Sequence, residues 1–361
     1  MVVTLSEDLT EDILERLPTK SLMRFKSVKQ SWNTLFKSNT FIKRHSQRQR
    51  QRASIERVMI FDTCSQESIT RLTLLSSNAP VLFELPVEQY PFGQYSSDLI
   101  YPMGHCNGIF CLWYNDGNPG FVLWNPATRE AKHVPPSPFS NSLNISYYFG
   151  FGSNPNTFNC FKLIHVFCMF PNDDTKAKPM FFTELYNTSA DSWTVIRDVD
   201  PCFFTLPRNL LPFRSSAFVN GIDYSLFFDY TFILCFDFCS NRFWKLDTPT
   251  LNGKILEAED SIAYIVQHTV SEDQGQIGYE IWILEQENTW TKIRDIHPLD
   301  SDVEIYALWR DCTECLAGTE YQPLMSYNSD GQTLQQFEYI VPQYREFYNY
   351  KYVESIAFLS P

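Results

Sequence analysis

The sequence predicts a small all-α module of three helices followed by a mainly-β, propeller-like domain. Three observations carry this expectation. Apolar residues recur at helical spacing up to about residue 45, then as short extended runs after Arg57. A polar–Trp–apolar motif repeats within the extended part. Aromatic residues make up 16% of the 361, with 30 Phe and 19 Tyr, a composition that favours strands. The boundaries read as 1–45 for the helical module, 46–57 for a basic linker and 58–361 for the β domain.

The first helix is marked by Leu5, Leu9, Ile13, Leu14 and Leu17. Ser6 suits its N-cap, and Glu7-Asp8 suit the positive end of its dipole. Leu17-Pro18 ends it, because proline lacks an N–H and disfavours helical geometry in the residue before it. A second helix carries Leu22, Phe25 and Val28, and a third carries Trp32, Leu35 and Phe36. Some 40 residues folding alone bury too little surface to cover all these groups. The remaining apolar face must dock on something, either a foreign subunit or the chain's own large domain. We assign to it Leu5, Ile13, Leu14, Leu17, Pro18, Leu22, Phe25, Val28 and Trp32. Phe25 and Trp32 are its expected anchors, since large aromatics dominate interface energetics. KRHSQRQRQRASIER (Lys43 to Arg57) reads as a solvated helical stalk.

Beyond it, VMIFD (58–62), GIFCLWY (108–114), GFVLWN (120–125), FKLIHVF (161–167), FILCFDF (232–238), GYEIWIL (278–284) and YVESIAFL (352–359) read as strands. Gly, Pro, Asn and Asp turn clusters separate such runs. The Trp motif reads DSWTVI at Trp193, NRFWKL at Trp244 and NTWTKI at Trp290, with intervals of 51 and 46 residues. Those intervals are near the roughly 50 residues of a kelch-type blade, so the β domain has room for about six blades. The run 352–359 is expected to pair beside 58–62 and close the ring, which removes exposed edges. A β-sandwich is the alternative reading of the same runs.

The stretch L-S-E-D-L-x(3)-I-L-x-R-L-P-x-K-S-L-M-R-F-K-S-V-x-x-S-W, from Leu5 to Trp32 and on to Phe41-Ile42, resembles the plant F-box. The resemblance implies binding to the Skp-type adaptor and, through it, the cullin scaffold of an SCF ubiquitin ligase. Ser6 stands where that family usually has proline, a departure that bears on adaptor affinity. GHCNGIFCL, LWNPATREAKHVPPSP, YFGFGSNPNTFNCFKL, ELYNTSADSWTVI, SSAFVNGIDYSLFF, ILCFDFCSNRFWKLDTP and EIWILEQENTWTKI are similar, in order, to the motifs of plant F-box-associated domains. The head SLMRFKSVKQSWNTLFKSNTFIKRH and the tail YKYVESIAFL are similar to S-locus F-box proteins of pollen, which implies recruitment of a basic S-ribonuclease in self-incompatibility. The implied role is a non-catalytic subunit that brings a protein substrate to ubiquitination and proteasomal degradation. The alternatives are a family scaffold uncoupled from degradation and a propeller that binds carbohydrate or acts as an oxidase.

Charge divides the chain. The first 57 residues carry 12 Lys and Arg against 6 Asp and Glu, and the rest 17 against 36, so a +6 head joins a −19 body. A body this acidic repels phosphates, which sets nucleic acid aside and favours a basic protein partner. No run of about 18 uncharged apolar residues is present to span a membrane. The start MVVTLSEDLTED lacks the basic region of a secretory signal, so the expected location is the cytoplasm, with the nucleus also open. The ten cysteines then read as reduced. Cys312-x-x-Cys315 is the one metal-like spacing, and Cys235 and Cys239 stand one residue too wide for it. The sequons at Asn144 and Asn187 matter only on a secreted chain. His105-Cys106 is not a base–nucleophile pair, since neighbours on a strand face opposite sides. Asp173-Asp174, and Glu257, Glu259 and Asp260, read as solvated turns. No G-x-S-x-G, H-E-x-x-H or Walker pattern occurs, so no catalytic residue, cofactor or metal is expected.

Overall fold

The computed structural model describes residues 6–52, 57–64, 69–77, 79–84, 100–114, 120–138, 145–157, 159–169, 180–197, 199, 213–227, 232–271, 276–285, 288–300, 302–310, 312–341 and 346–359. Leu5 lies outside them. Four helices, one more than expected, form the head: α1 (Glu7–Glu15), α2 (Thr19–Phe25), α3 (Gln30–Phe36) and α4 (Asn39–Arg52). Ser6 caps α1, its Oγ accepting the Leu9 N–H at 3.3 Å. α4 is helical, as the basic stretch reads from the sequence, but it is not a solvated stalk. Its Phe41, Ile42, His45 and Ser46 are buried, a set with helical spacing. His45 Nε2 hydrogen-bonds the Leu17 carbonyl at 2.9 Å, and Gln49 Nε2 donates to the same oxygen at 3.2 Å. α4 thus satisfies a carbonyl left open by the break at Pro18. Arg44 and Arg48 bring Nε within 3.0 and 2.8 Å of the two oxygens of buried Glu15, and also pair with Glu11 and Asp12. The cations that read as solvated are held by the acids of α1.

The strands form six four-stranded antiparallel sheets, the blades of a propeller. Blade 1 begins with β1 (Arg57–Cys64), β2 (Ile69–Ser76) and β3 (Ala79–Glu84). Blade 2 is β4 (Ile100–Cys106), β5 (Ile109–Tyr114), β6 (Gly120–Asn125) and β7 (Glu130–His133). Blade 3 is β8 (Ile145–Ser153), β9 (Phe161–Met169), β10 (Met180–Asn187) and β11 (Ser192–Ile196). Blade 4 is β12 (Phe213–Val219), β13 (Ile222–Phe227), β14 (Phe232–Asp237) and β15 (Arg242–Asp247). Blade 5 is β16 (Lys254–Ala258), β17 (Ser261–Ser271), β18 (Gln276–Leu284) and β19 (Trp290–Asp300). Blade 6 is β20 (Glu304–Trp309), β21 (Glu314–Gly318), β22 (Pro323–Tyr327) and β23 (Thr333–Ile340). The last strand, β24 (Glu346–Lys351), returns to blade 1 and pairs with β1 from Val58↔Lys351 to Thr63↔Glu346.

The ring closes against 58–62 as the sequence predicts, but through an earlier segment than YVESIAFL. Residues 352–359 form no strand, and Tyr352 and Ile356 to Leu359 are buried. Their apolar pattern is spent on the seam with the head. The Trp repeat marks the outermost strands of blades 3, 4 and 5. Trp193 Nε1 donates to the Pro135 carbonyl at 2.7 Å and Trp290 Nε1 to that of Asp247 at 2.8 Å, so each pins its blade to the preceding one. Asn107-Gly108 and Asn220-Gly221 take positive φ at both positions, as two-residue hairpin turns require.

Antiparallel order puts the first and third turns of blades 2 to 6 on one end of the ring, and the head sits on that end over blades 2 and 3. Leu14, Leu22, Phe36, Phe41 and Ile42 share one core with Cys106, Ile109, Phe151, Phe161 and Tyr186, and with Ile356 to Leu359 of the tail. Gly108 has no room for a side chain there: a Cβ would lie 2.5 Å from Ser355 Cβ and 2.8 Å from the Val353 oxygen. Lys26 Nζ stands 4.0 Å over the Phe358 ring and 3.7 Å from Glu130 Oε1. Burial lowers the Lys26 pKa, an effect opposed by Glu130.

Candidate functional site

The head divides the sequence-derived face in two. Leu14 and Leu22 are sealed in the core that joins head and propeller, which removes them from any surface offered to a partner. The sequence assigned them outward because it does not reveal how much of the helical face the propeller covers. Leu17, Phe25 and Trp32 are half-buried against the same core, with the Phe25 and Trp32 rings 5.8 Å apart. Pro18 is exposed. Ile13 is 42% exposed and Val28 65%. Leu9, omitted from the set, is 47% exposed. Its signal was available, for Leu9 and Ile13 stand at i and i+4 on α1 and so share a face. Among the described residues of the head, the open apolar groups are therefore Leu9, Ile13, Pro18 and Val28, with Leu17, Phe25 and Trp32 partly open.

At the ring axis lies a small cavity of about 40 Å³ lined by His105, Asp223, Glu257, Tyr350 and Lys351 among others. That is room for a few waters, far below the roughly 300–1,000 Å³ of an organic ligand site. Buried Asp223 accepts from Tyr148 Oη at 2.5 Å and Ser225 Oγ at 3.0 Å. Burial lifts its pKa to about 7 against the pull of those two donors. Glu257, read from the sequence as part of a solvated turn, stands instead on β16 and faces this cavity. Burial raises its pKa to about 7, with Lys351 and Arg50 opposing. His105 is pushed down to about 3 by burial, aided by the positive charge of Arg50, so the ring is neutral near pH 7. Its centroid lies 4.5 Å from that of Phe110 and 6.0 Å from those of Tyr350 and Tyr352.

His105 and Cys106 do not cooperate. Cys106 Sγ lies 3.2 Å from Ser153 Oγ, and burial raises its thiol to about 12, so no thiolate is available as a nucleophile. A cluster that the sequence did not reveal joins blades 2 and 3. His165 Nδ1 lies 2.9 Å from Glu184 Oε1, Ser137 Oγ donates to Glu184, and Phe149 stacks on the imidazole at 4.3 Å. Here the carboxylate sits between hydroxyl and imidazole, whereas nucleophilic catalysis needs the imidazole in the middle. The cluster is a buried polar tie. Among the described residues, Cys235, Cys239, Cys312 and Cys315 included, no group of three His, Cys, Asp or Glu is placed to hold a metal ion. Asn144, Asp173 and Asp174 lie outside the described residues. Among the described residues no helix is long and apolar enough to cross a membrane.

Comparison with known proteins agrees with this geometry. Residues 29–358 match the F-box associated beta propeller domain family. An F-box/kelch-repeat protein of Arabidopsis thaliana is 24% identical over 252 residues, covering 69% of this chain and 62% of the relative. An F-box protein of the same plant is 27% identical over 247 residues, covering 68% and 64%. The chain thus spans a little over three-fifths of the length of these relatives. Solved structures resemble it remotely. One is a nidogen/laminin complex (TM-score 0.42, 8% identity, covering 81% of this chain and 96% of that one). Another is YCF48 from Cyanidioschyzon merolae (TM-score 0.39, 12% identity, 79% and 86%). Scores this low carry no argument. With the family match running through nearly the whole ring and two helices of the head, the chain belongs to the F-box-associated β-propeller family and is a plant F-box protein.

Proposed function

We propose that the chain is the substrate-recruiting subunit of an SCF ubiquitin ligase, holding a Skp-type adaptor with its helices and a protein substrate with its propeller. The observation that carries this reading is the open apolar face of the head. Leu9, Ile13 and Val28 remain between 42% and 65% exposed while their neighbours are sealed against the propeller. Apolar groups left open on a small module whose other apolar side is already sealed suit a protein-interaction site. The subunit contributes no bond-making step. It raises the local concentration of substrate lysines beside a conjugating enzyme carried by the other subunits. Such a ligase works in the cytoplasm or nucleus. The acidic body favours a basic cargo, and the S-locus likeness names an S-ribonuclease as one candidate.

Co-expression with a plant Skp-type adaptor tests the reading. Ile13→Asp with Val28→Asp is expected to abolish co-purification while the melting temperature stays within a few degrees of wild type, since both side chains are open to water. Adaptor retained by that double variant would overturn the assignment. Ser6→Pro is expected to change adaptor affinity in proportion to how far the N-cap bond from Leu9 fixes the start of α1. Identical affinities would show that the departure from the family's proline has no consequence.

A further inference from the structure

We propose that Ser137 is a phosphorylation site for a proline-directed protein kinase, and that its phosphate forces open the joint between blades 2 and 3. The site goes beyond the receptor reading and stands whether or not the head holds an adaptor. Ser137-Pro138 ends a PPSP stretch that carries the chain from β7 towards blade 3 and forms no strand. Pro136 and Pro138 are exposed and Ser137 is half-buried.

The backbone here suits a kinase cleft. Three of the residues 135–138 are prolines without an N–H, so the stretch cannot be stitched into a ladder. Their fixed φ favours the extended form in which a substrate peptide lies along such a cleft. Pairing with blade 2 ends just before the stretch, where the Val134 N–H donates to the Phe121 carbonyl at 2.9 Å. Two contacts then tie it to blade 3. The Pro135 carbonyl accepts from Trp193 Nε1 at 2.7 Å, and the Ser137 hydroxyl donates to Glu184 Oε2.

The second contact makes Ser137 a switch. Glu184 is 1% exposed, and its other oxygen lies 2.9 Å from His165 Nδ1, an imidazole stacked on Phe149. The serine hydroxyl supplies a proton to this carboxylate. A phosphate ester, dianionic above its second pKa of about 6, has none to supply. Two acceptors would then meet at hydrogen-bond distance beside a carboxylate that solvent does not reach. The conflict holds whatever the net charge of the surroundings, because neither group brings a donor. Its relief is outward movement of the stretch, which also draws the Pro135 carbonyl from Trp193. Val134 belongs to the core beneath the head, so the disturbance reaches the head's seat. In the transfer itself the Ser137 Oγ–P bond forms as the bond from the γ-phosphorus of ATP to the β–γ bridging oxygen breaks. ADP leaves, and the hydroxyl proton passes to the kinase's base.

The full chain, incubated with an active mitogen-activated protein kinase and Mg-ATP and mapped by mass spectrometry, tests the proposal. Ser137 of the folded chain is expected to take phosphate. Hydrogen exchange in β10 and β11 of the modified chain should quicken about tenfold or more, with blade 5 unchanged. Ser137→Ala loses only the hydrogen bond, so it should quicken exchange there far less. Glu184→Gln offers an amide donor in place of one carboxylate oxygen. Its Ser137 should still be modified, with most of the acceleration gone. Phosphate confined to the other two Ser/Thr-Pro dipeptides, at Thr248 and Ser360, would overturn the site. So would modification of a free peptide of residues 130–141 but not of the folded chain, or of neither. Phosphate on Ser137 without faster exchange, or with equal acceleration in the Glu184→Gln chain, would overturn the opening of the joint.

Discussion

Asn125 shows how much a single side chain organises here. Its Nδ2 donates to the carbonyls of Ser355 and Ala357, each at 3.0 Å, and its Oδ1 accepts from the N–H groups of Ala127 and Thr128. The Asn125 side chain and its bonds to the tail are buried, so Asn125→Ala strands several backbone groups and is expected to cost about 2–4 kcal/mol, read by urea denaturation. Limited proteolysis of the same variant should cut first near residue 355. The motif LWNPATRE was visible in the sequence, but the reason for its asparagine was not, because its partners lie some 230 residues away. Asp223 offers a pH test. Its pKa rises from 3.8 to about 7 on folding, so over that range the folded chain keeps a proton that the unfolded chain has released. Stability from this group is present at low pH and falls as pH rises from about 4 to about 7. His105 acts oppositely: with a pKa lowered from 6.5 to about 3, it makes the fold more stable as pH rises through that interval. Asp223→Asn retains an acceptor for Tyr148 and Ser225 but removes the first slope. Its unfolding free energy relative to wild type should therefore climb by on the order of a few kcal/mol between pH 4 and pH 8. A constant difference across that range would show that Asp223 titrates as an ordinary carboxylate.

Among the elements, α4 and the tail were the least legible. Half of the inward positions of α4 are polar, His45 and Ser46 beside Phe41 and Ile42, so hydropathy alone gave no amphipathic signal after residue 42. Only the structure shows that His45 and Gln49 serve the Leu17 carbonyl and that Arg44 and Arg48 flank Glu15. Glu15→Ala should destabilise the head by about 2 kcal/mol, below the cost of breaking a fully buried pair because both arginines are partly exposed. Hydrogen exchange should quicken in α4 before it quickens in the propeller. The tail misled in a different way. YVESIAFL carries the β-branched and aromatic residues of a strand, yet its apolar groups are matched to α1–α4 and the turns of blades 2 and 3. Tertiary context overrode a local preference of about 1 kcal/mol. By contrast the Trp repeat was readable because its members occupy the same place, the outermost strand of a blade, and at Trp193 and Trp290 the indole pins that strand to the blade before it.

For the whole molecule, the propeller and its closure were legible from periodicity, whereas the division of the head into a sealed and an open half was not. Leu14 and Ile13 are adjacent in sequence and opposite in fate. That division follows from the ring's shape, which no local pattern encodes. Phe358→Ala combined with Ile356→Ala should cost about 3–6 kcal/mol at the seam and loosen the head while the blades persist, visible as an early separate transition in a thermal scan. A single unbroken transition would mean that head and ring unfold as one unit. The seam also sets an order of events during synthesis. The first blade waits with β1 unpaired on its inner side until residues 346–351 leave the ribosome, on the order of tens of seconds later. The helices wait equally long for residues 356–359 to fill the space beneath them. A nascent chain that stalls in between has an open β edge and a poorly seated head, so firm seating of the helices depends on completion of the ring.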